Sequence, residues 1–282
     1  MLAKEALRFY TPITIIFFRL LFSSIILFVC LAALRKLQFP KKKDLPAFLI
    51  LAFFEPFLYF IGETHSLQYM DSSTCAVLIS IIPLFIPFVA YFFLKEKIRI
   101  INIIGILISI IGIFVLMFNS QLKLQVPIEG ILLVFLAIIA ANGYNVMIKK
   151  IDVSYSVFSV TMWQNIFGTA LFLPLLLIFS REQLLETGFV WEGFSAILKL
   201  GIFCSSLAFI FYMFALRHLP VSQTSVFTNS IPIFTIIIAH FMLNESIDAK
   251  KIIGIVVIIL GVIVSQMKIK KFKKINLKNF KN

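Results

Sequence analysis

A long internal repeat constrains the fold of this chain more than any other feature. Residues that shape helices and their ends recur at a constant offset of 149 positions, with no gap. The pairs are Pro83 and Pro232, Glu96 and Glu245, Gly105 and Gly254, and Gly112 and Gly261. One offset held across two predicted helices indicates a duplicated structural unit, and a duplicated unit dictates the architecture.

The composition places most of the chain in a lipid bilayer. The 282 residues are 61% hydrophobic, and the mean hydropathy is +1.03. A soluble domain of this length cannot hide that much apolar surface. Runs of about 20 nearly uncharged residues recur along the chain, and a helix of that length crosses the hydrocarbon core. We therefore expect an all-α integral membrane protein.

The net charge of +13 does not indicate a nucleic-acid-binding surface. The basic residues lie in short connectors and in the C-terminal tail, as they do in the cytoplasmic loops of membrane proteins. Cys30, Cys75 and Cys204 lie in apolar runs without ligand spacing, so neither a metal site nor a disulfide is predicted. The sequence also contains no GxxxxGK[ST] segment for ATP. We expect no cofactor.

Nine apolar runs are long enough to form transmembrane helices. The predicted spans are Pro12–Ala33, Leu45–Leu67, Ser72–Leu94, Ile98–Phe118, Ile128–Ile148, Ser156–Phe179, Phe194–Leu216, Ser222–Leu243 and Lys251–Gln266. Because the connectors are short, neighbouring helices should be antiparallel.

Lysine and arginine are unevenly distributed between the two sets of connectors, and this bias predicts the orientation. One set carries Arg35, Lys36, Lys41, Lys42, Lys43, Lys95, Lys97, Arg99, Lys149, Lys150, Arg217 and the tail lysines between Lys268 and Lys281. The other set carries Lys4, Arg8, Lys123, Arg181, Lys250 and Lys251. We expect the first set and the C-terminus to be cytoplasmic, with the basic tail attracted by anionic lipids.

The two copies of the repeat are predicted to run in opposite directions. Five spans separate equivalent points, so the helix of Pro83 runs inwards and the helix of Pro232 runs outwards. The halves are then inverted repeats around a pseudo-two-fold axis in the membrane plane, which is typical of secondary transporters that bind substrate between the repeats. We predict repeat units at residues 1–118 and 128–266, followed by a basic tail at 267–282.

The two halves differ at their start. When Arg19 is aligned with Gln164, Met1 falls near Val146, so nothing in the first half matches the opening helix of the second half. One interpretation is a native protein with nine spans. The other is a sequence that begins at an internal methionine and lacks the first of ten helices. The second is favoured because residues 4–8 resemble an inter-helix connector.

A group of short motifs recurs in both halves. The second half carries Ala215-Leu216-Arg217-His218-Leu219-Pro220-Val221, Pro232-Ile233-Phe234, Leu243-Asn244-Glu245, and Gly254 through Gly261. The first half carries Ser66-Leu67-Gln68-Tyr69-Met70, Pro83-Leu84-Phe85, Leu94-Lys95-Glu96, and Gly105 through Gly112. Each half thus resembles an EamA domain of the drug/metabolite transporter superfamily, from which it departs at the start and at Lys95 and Asn244. The resemblance implies ten helices in two inverted repeats, a location in the cell inner (plasma) membrane, and export or exchange of small metabolites.

Glu55 is the sharpest candidate for a functional residue, because an intramembrane charge is expensive. It lies about ten residues into its span, near the bilayer midplane, and Pro56 leaves a carbonyl of the preceding turn without its usual donor. The same helical face continues with Tyr59, Gly62 and Ser66, beside Glu63. The carboxyl group could take up a proton, which burial favours, or pair with a cationic group of a substrate. The alternative is a neutral acid bonded to a neighbouring helix.

Polar side chains on other predicted helices are candidates for lining a central cavity. They are Asn142, Asn145, Trp163, Gln164, Ser205, Tyr212 and Asn229. Such groups contact substrates in transporters, but they equally hydrogen-bond helices to one another. Trp163 is either a cavity wall or a packing residue. For Arg19 we expect a side chain that snorkels towards the outer surface, and the alternative is a charge that attracts an anionic substrate.

The repeated acids are assigned to the scaffold, whereas the repeated prolines could either free carbonyl groups for ligands or impose a fixed kink. Glu96 and Glu245 lie at predicted helix ends, where a carboxylate accepts hydrogen bonds from backbone amides. Pro83 and Pro232 interrupt regular helical hydrogen bonding, which permits the helices to bend.

These features predict a secondary active transporter of small organic metabolites such as amino acids, and not an enzyme. Its partners would be a small-molecule substrate and the bilayer, and a monomer is compatible with the sequence. One alternative is a truncated or accessory membrane protein that does not transport. The other is a lipid-modifying enzyme, which the wide separation of His65, His218 and His240 disfavours. The residues do not identify the substrate, the direction of transport or the coupling ion.

Overall fold

The computed structural model describes residues 1–94, 98–118, 124–218, 231–243 and 249–266. Within these ranges the protein is almost entirely helical, and the one bridge between extended residues joins Phe118 to Leu124. The helices are α1 (Leu2–Ala6), α2 (Pro12–Ala33), α3 (Leu45–Ser66), α4 (Ser72–Ile79), α5 (Ile86–Leu94), α6 (Ile100–Met117), α7 (Ile128–Lys150), α8 (Val157–Thr187), α9 (Trp191–His218), α10 (Ile231–Leu243) and α11 (Ala249–Gln266). The prediction of an all-α fold is confirmed.

Seven helical segments in the described part of the chain are long and apolar enough to cross a membrane. They are α2, α3, the pair α4 and α5, α6, α7, α8 and α9, and the shorter helices α10 and α11 are also apolar. Large apolar side chains point away from the bundle, as shown by Phe92 at 74% exposure and Phe241 at 79%. Lipid, and not water, suits such a surface, so the protein is a multi-pass membrane protein.

The predicted span boundaries agree with most of these helices but not with all of them. Helix α8 continues to Thr187, well beyond the predicted end at Phe179, because a polar, exposed segment after Ser180 remains helical. Residues 222–230 of the predicted span Ser222–Leu243 lie outside the described residues, and α10 begins at Ile231.

The repeated glycines of the two halves pack against one another. A Cβ atom on Gly105 would lie 2.5 Å from the carbonyl oxygen of Gly261, and a Cβ on Gly261 would lie 2.6 Å from that of Gly105. Gly112 and Gly254 face each other in the same way, at 2.9 Å and 3.2 Å. Because the first glycine of α6 meets the second glycine of α11, and the reverse, the two helices are antiparallel and related by a two-fold operation. This pairing is the geometry of an inverted repeat.

A second pair of equivalent helices packs with the same symmetry. The Asn165 amide of α8 donates to Ser23 Oγ of α2 at 2.7 Å, and a Cβ on Gly168 would lie 3.2 Å from Leu20. At the offset of 145 residues that aligns Arg19 with Gln164, Leu20 corresponds to Asn165 and Ser23 corresponds to Gly168. The pseudo-two-fold axis therefore converts one of these contacts into the other. Two independent helix pairs therefore support the inverted repeat.

The two sets of connectors lie at opposite ends of the bundle. The connector that precedes α3 contacts the connector that precedes α8, since Gln38 accepts from the Ser156 amide at 2.6 Å and the Tyr155 hydroxyl donates to Asp44 at 2.8 Å. At the other end, Tyr10 OH donates to the Gly188 carbonyl at 3.2 Å. The grouping of basic connectors by charge thus agrees with the contacts between connectors, and the assignment of one end to the cytoplasm stays a prediction.

Within the described residues, two transmembrane segments of the first repeat are interrupted near a proline. In α3 the backbone of Glu55 is extended, with φ −146° and ψ 117°, immediately before Pro56. Between α4 and α5 the chain forms a tight helical turn at Ile82–Phe85, which contains Pro83. The predicted interruption at Pro83 is confirmed, and both breaks lie in the first repeat.

Candidate functional site

A cavity of about 290 Å³ lies between helices of the two halves. It is bordered by α1, α2, α3 and α4 from the first repeat and by α9 and α10 from the second. The lining residues are Met1, Leu2, Ala3, Arg19, Tyr59, Glu63, Leu67, Ser72, Cys75, Ala76, Ile79, Leu200, Cys204, Ile231 and Thr235. Most of the wall is apolar, but it contains one cation, Arg19, and one carboxylate, Glu63.

Arg19 is held inside the bundle by contacts from both halves. Its side chain is only 4% exposed, its Nε donates to Ser205 Oγ of α9 at 2.9 Å, and the guanidinium carbon lies 4.0 Å from the centre of the Phe60 ring. The expectation that Arg19 snorkels outwards is therefore wrong. A hydroxyl acceptor and an aromatic face from neighbouring helices offset the cost of burying the charge, and the sequence of α2 alone contains neither of them.

The carboxylates of α3 lie near this guanidinium. Glu63 lines the cavity, and its Oε2 accepts from Thr64 Oγ1 at 3.0 Å. Glu55 is 8% exposed and close enough to Arg19 and Glu63 to interact electrostatically with both. Within the described residues no ion pair joins Arg19 to either acid, so the charges retain capacity for a ligand.

The extended backbone at Glu55 changes which residues of α3 share a face. Tyr59 and Glu63 line the cavity. Gly62 instead packs against the backbone of α7, and Ser66 Oγ donates to the Glu63 carbonyl at 2.7 Å. The predicted spacing assumed an unbroken helix. It correctly placed Tyr59 near Glu55, but it assigned Gly62 and Ser66 to the same face and placed Glu63 next to that face.

A second polar cluster interacts electrostatically with Glu55. The Tyr212 hydroxyl donates to Asn145 Oδ1 at 3.0 Å, and the Tyr144 hydroxyl donates to Gln164 Oε1 at 3.4 Å. Tyr144 and Tyr212 both interact electrostatically with Glu55. Asn145, Gln164 and Tyr212 thus stand near the acid, but they do not line the 290 Å³ cavity.

Two further candidates lie away from both groups. The Asn142 amide donates to the Ile138 carbonyl at 2.9 Å and borders an apolar cleft. Trp163 Nε1 donates to the Gln38 carbonyl at 2.7 Å and its ring packs against Phe39. The indole thus packs against the segment that precedes α3, near the start of α8, and a role of Trp163 in substrate binding stays a prediction.

Several predicted residues lie outside the described part of the chain. Asn229, Glu96, Glu245 and the basic tail belong to this group, so their roles stay predictions. Residues that the sequence reasoning missed are Glu63, Ser72, Cys75 and Thr235 in the cavity wall. Of these, Glu63 carried a usable signal, because it follows Tyr59 by four residues, the spacing of one helical face.

The cavity is suited to a small solute that carries charge. The guanidinium of Arg19 can bind a carboxylate or another oxyanion, and Glu63, with Glu55 nearby, can pair with an ammonium group. The described residues contain no group of three or more His, Cys, Asp or Glu side chains that could hold a metal ion. An arrangement of this kind can bind a small polar or amphipathic molecule that carries charge.

Comparisons with known proteins agree with this architecture. The family model of the EamA-like transporter family matches residues 1–118 and 128–267. The chain is 27% identical over 260 residues to the uncharacterized transporter YetK of Bacillus subtilis (strain 168), covering 90% of this chain and 78% of that protein. It is 31% identical over 212 residues to an uncharacterized transporter of Clostridium kluyveri, covering 73% of this chain and 67% of the relative.

The fold itself has been seen in a solved structure. A crystal structure of a protein superimposes on this chain with a TM-score of 0.67 at 15% identity, covering 94% of this chain and 97% of the other. At that identity the likeness concerns the fold alone. Since the family model matches both halves of a chain that is built as an inverted repeat of membrane helices, the protein belongs to the EamA-like transporter family.

Proposed function

We propose that this protein is a secondary active transporter that exports or exchanges small organic metabolites, amino acids among them, by alternating access of its two repeats. The observation that carries the proposal is the cavity between the repeats, in which the buried guanidinium of Arg19 lies near the carboxylates of Glu63 and Glu55. Buried charges without an ion-pair partner are costly in a membrane and are retained where they bind a solute.

The positions of these charges suggest how a zwitterionic solute is oriented. Its carboxylate would bind the guanidinium edge of Arg19 that is not used by Ser205. Its ammonium group would pair with Glu63. The ring of Tyr59 and the apolar wall formed by Leu67, Ile79 and other residues would contact the side chain of the solute. An apolar wall of this kind can accommodate solutes that differ in their side chains.

Glu55 is the proposed coupling group. It lies at the break of α3 and interacts electrostatically both with the charges of the cavity and with Tyr144 and Tyr212. Because Glu55 interacts both with Arg19 and Glu63 and with the hydroxyl groups of the two tyrosines, uptake or release of a proton at Glu55 would change the electrostatics of both groups. The extended backbone at this residue lets the two parts of α3 move separately, as in the broken helices of other secondary transporters.

The proposal also includes a location and an orientation. The chain would lie in the cell inner (plasma) membrane with its C-terminus in the cytoplasm, because the end of the bundle that carries Lys150 and Arg217 is the more basic one. A C-terminal tag that is cleaved by protease in inverted vesicles but protected in intact cells would support this orientation, and the reverse pattern would contradict it.

Transport is tested in proteoliposomes loaded with a mixture of the twenty amino acids, with each 14C-labelled amino acid offered outside in turn. A transported amino acid should show counterflow in the wild type. Arg19→Gln and Glu63→Gln should each weaken its transport by about 10- to 100-fold, since one charge-assisted hydrogen bond contributes about 1.5–3 kcal/mol. The matched controls Arg8→Gln and Glu129→Gln alter exposed charges outside the cavity and should leave counterflow unchanged.

The outcomes separate the parts of the proposal. Equal counterflow in Arg19→Gln and wild type, with both proteins folded by thermal melting, would refute the role of the cavity. Counterflow of none of the amino acids would exclude them as the substrate class. Glu55→Gln should retain substrate exchange but lose its response to an imposed pH gradient. Undiminished, equally pH-dependent transport in that variant would remove Glu55 from the coupling mechanism.

A further inference from the structure

A large apolar cleft lies on the side of the bundle, separate from the cavity. This lateral cleft has a volume of about 520 Å³ and is lined by Phe54, Phe85, Phe88, Val89, Phe92, Ile139, Asn142, Gly143, Val146, Met147 and Lys150. None of these residues lines the cavity that contains Arg19. Ile139 is 51% exposed and Phe92 is 74% exposed, so the cleft opens towards the surface that lipid surrounds.

The lateral cleft continues along α7 into a second apolar space. That space measures about 430 Å³ and shares Phe85 and Phe88 with the first. All of its lining side chains are apolar. The two spaces together form a groove between α5, α6 and α7, and a groove of this composition excludes polar solutes because it offers them no hydrogen-bond partner.

The length of the lateral cleft matches one leaflet of a bilayer. Its lining residues on α7 run from Ile139 to Lys150. At a rise of 1.5 Å per residue this is about 16 Å, and half of the hydrocarbon core is about 15 Å. An acyl chain that lies along α7 would therefore end near the midplane when its headgroup lies at Lys150.

The charge at the end of the cleft selects the headgroup. Lys150 is exposed and is the one charged residue among the side chains that line the cleft in the described part of the chain. Lys149 lies beside it and donates to the Leu216 carbonyl, which adds positive charge at the same end. The amide of Asn142 already donates to the Ile138 carbonyl. Among the described residues that line the cleft none carries a carboxylate, so the electrostatics favour an anion over a cation or a zwitterion.

We propose that the lateral cleft binds one anionic phospholipid, with an acyl chain along α7 and the phosphate at Lys150. Basic sites between transmembrane helices bind anionic headgroups in this manner. Phe54, which lines the cleft, directly precedes Glu55 at the break of α3, so a bound lipid contacts the segment whose movement the transport cycle would need. The site itself does not depend on the proposed transport activity.

Native mass spectrometry of the purified full chain tests the proposal. The protein is titrated with dioleoyl phosphatidylglycerol or with dioleoyl phosphatidylcholine, which has the same acyl chains and no net charge. We expect one phosphatidylglycerol to bind at least fivefold more tightly than phosphatidylcholine, because one lysine near an anionic headgroup contributes about that factor. Lys150→Gln should remove this preference, whereas the control Lys36→Gln, an exposed lysine outside the cleft, should retain it.

A second variant tests the cleft itself. Val146→Trp places a large ring among the lining side chains and should weaken the binding of phosphatidylglycerol although Lys150 is intact; Ile139→Phe serves the same purpose with a smaller change. Equal binding of the two lipids to the wild type would overturn the proposal. So would an affinity of Lys150→Gln for phosphatidylglycerol within twofold of wild type, or undiminished binding after the cleft has been filled.

Discussion

Replacing Gly105 with alanine should destabilise the protein more than the same replacement at Gly254, its equivalent in the second repeat. A Cβ at position 105 would lie 2.5 Å from the Gly261 carbonyl oxygen and 2.5 Å from the Ser265 Cβ. A Cβ at position 254 would lie 3.2 Å from the Gly112 carbonyl oxygen and 3.3 Å from Leu116. The repeat makes the two positions equivalent, but the packing does not.

The different distances from the added Cβ to its neighbours determine how much the two variants should differ in the free energy of unfolding. At Gly254 the neighbours need to give by a few tenths of an ångström, whereas at Gly105 helices α6 and α11 have to separate by most of an ångström, because the clash involves backbone atoms. A gap of that size forfeits a quarter to a half of each van der Waals contact along the interface, and overpacking costs about 1–3 kcal/mol. The gain in helix propensity, about 1 kcal/mol, is common to both variants and cancels. We therefore expect Gly105→Ala to be less stable than Gly254→Ala by about 1–3 kcal/mol.

The free energy of unfolding is measured for both variants in mixed detergent micelles with increasing dodecyl sulfate, by the loss of helical circular dichroism. Leu107→Ala is the control, because Leu107 lies on the same helix but is 56% exposed towards lipid; it should change the stability less than Gly105→Ala. Equal free energies for the two glycine variants, or a less stable Gly254→Ala, would refute the close antiparallel packing of α6 against α11.

Three further substitutions test single contacts. Gly168→Ala would bring a Cβ into a direct clash with Pro56 Cγ and should slow transport by displacing the break of α3 while helical content is retained; an unchanged rate counts against the break as a moving part. Trp163→Phe removes the 2.7 Å bond to Gln38 and should cost about 1 kcal/mol of stability with no change in substrate KM. Ser205→Ala removes the acceptor of the buried arginine and should raise KM in counterflow; an unaltered KM would mean that the hydroxyl does not position the guanidinium.

The sequence predicted the architecture well because lipid leaves few options. A chain in hydrocarbon has to satisfy its backbone hydrogen bonds within each span, so apolar runs define helices directly. The repeat then adds symmetry, and the contacts of Gly105 with Gly261 follow it. The short helix α1 and the polar extension of α8 beyond Phe179 were missed, since hydropathy carries no signal for a helix that lies outside an apolar run.

The sequence predicted the candidate site less completely, for two physical reasons. Helical spacing holds only in an unbroken helix, and the extended backbone at Glu55 shifts the residues that follow, which brings Glu63 to the cavity. Whether a polar side chain is buried or reaches the surface also depends on hydrogen-bond partners from distant parts of the chain. The partner of Arg19 is Ser205, and no pattern within α2 could indicate it.

The charges of the candidate site lie at positions that the repeat does not preserve. At the offset of 149 residues, the positions of Glu55 and Glu63 are occupied in the second repeat by Cys204 and Tyr212, and Arg19 aligns with Gln164. Alternating access by two inverted repeats needs equivalent packing surfaces, because the halves exchange conformations. It does not need equivalent binding groups, because a single solute occupies one cavity that opens to each side in turn. The helix packing and the charged groups of the candidate site can therefore be perturbed separately. Substitutions of the repeated glycines should change the free energy of unfolding, whereas conservative neutralisation of the unrepeated charges should change substrate affinity or coupling in a protein that remains folded.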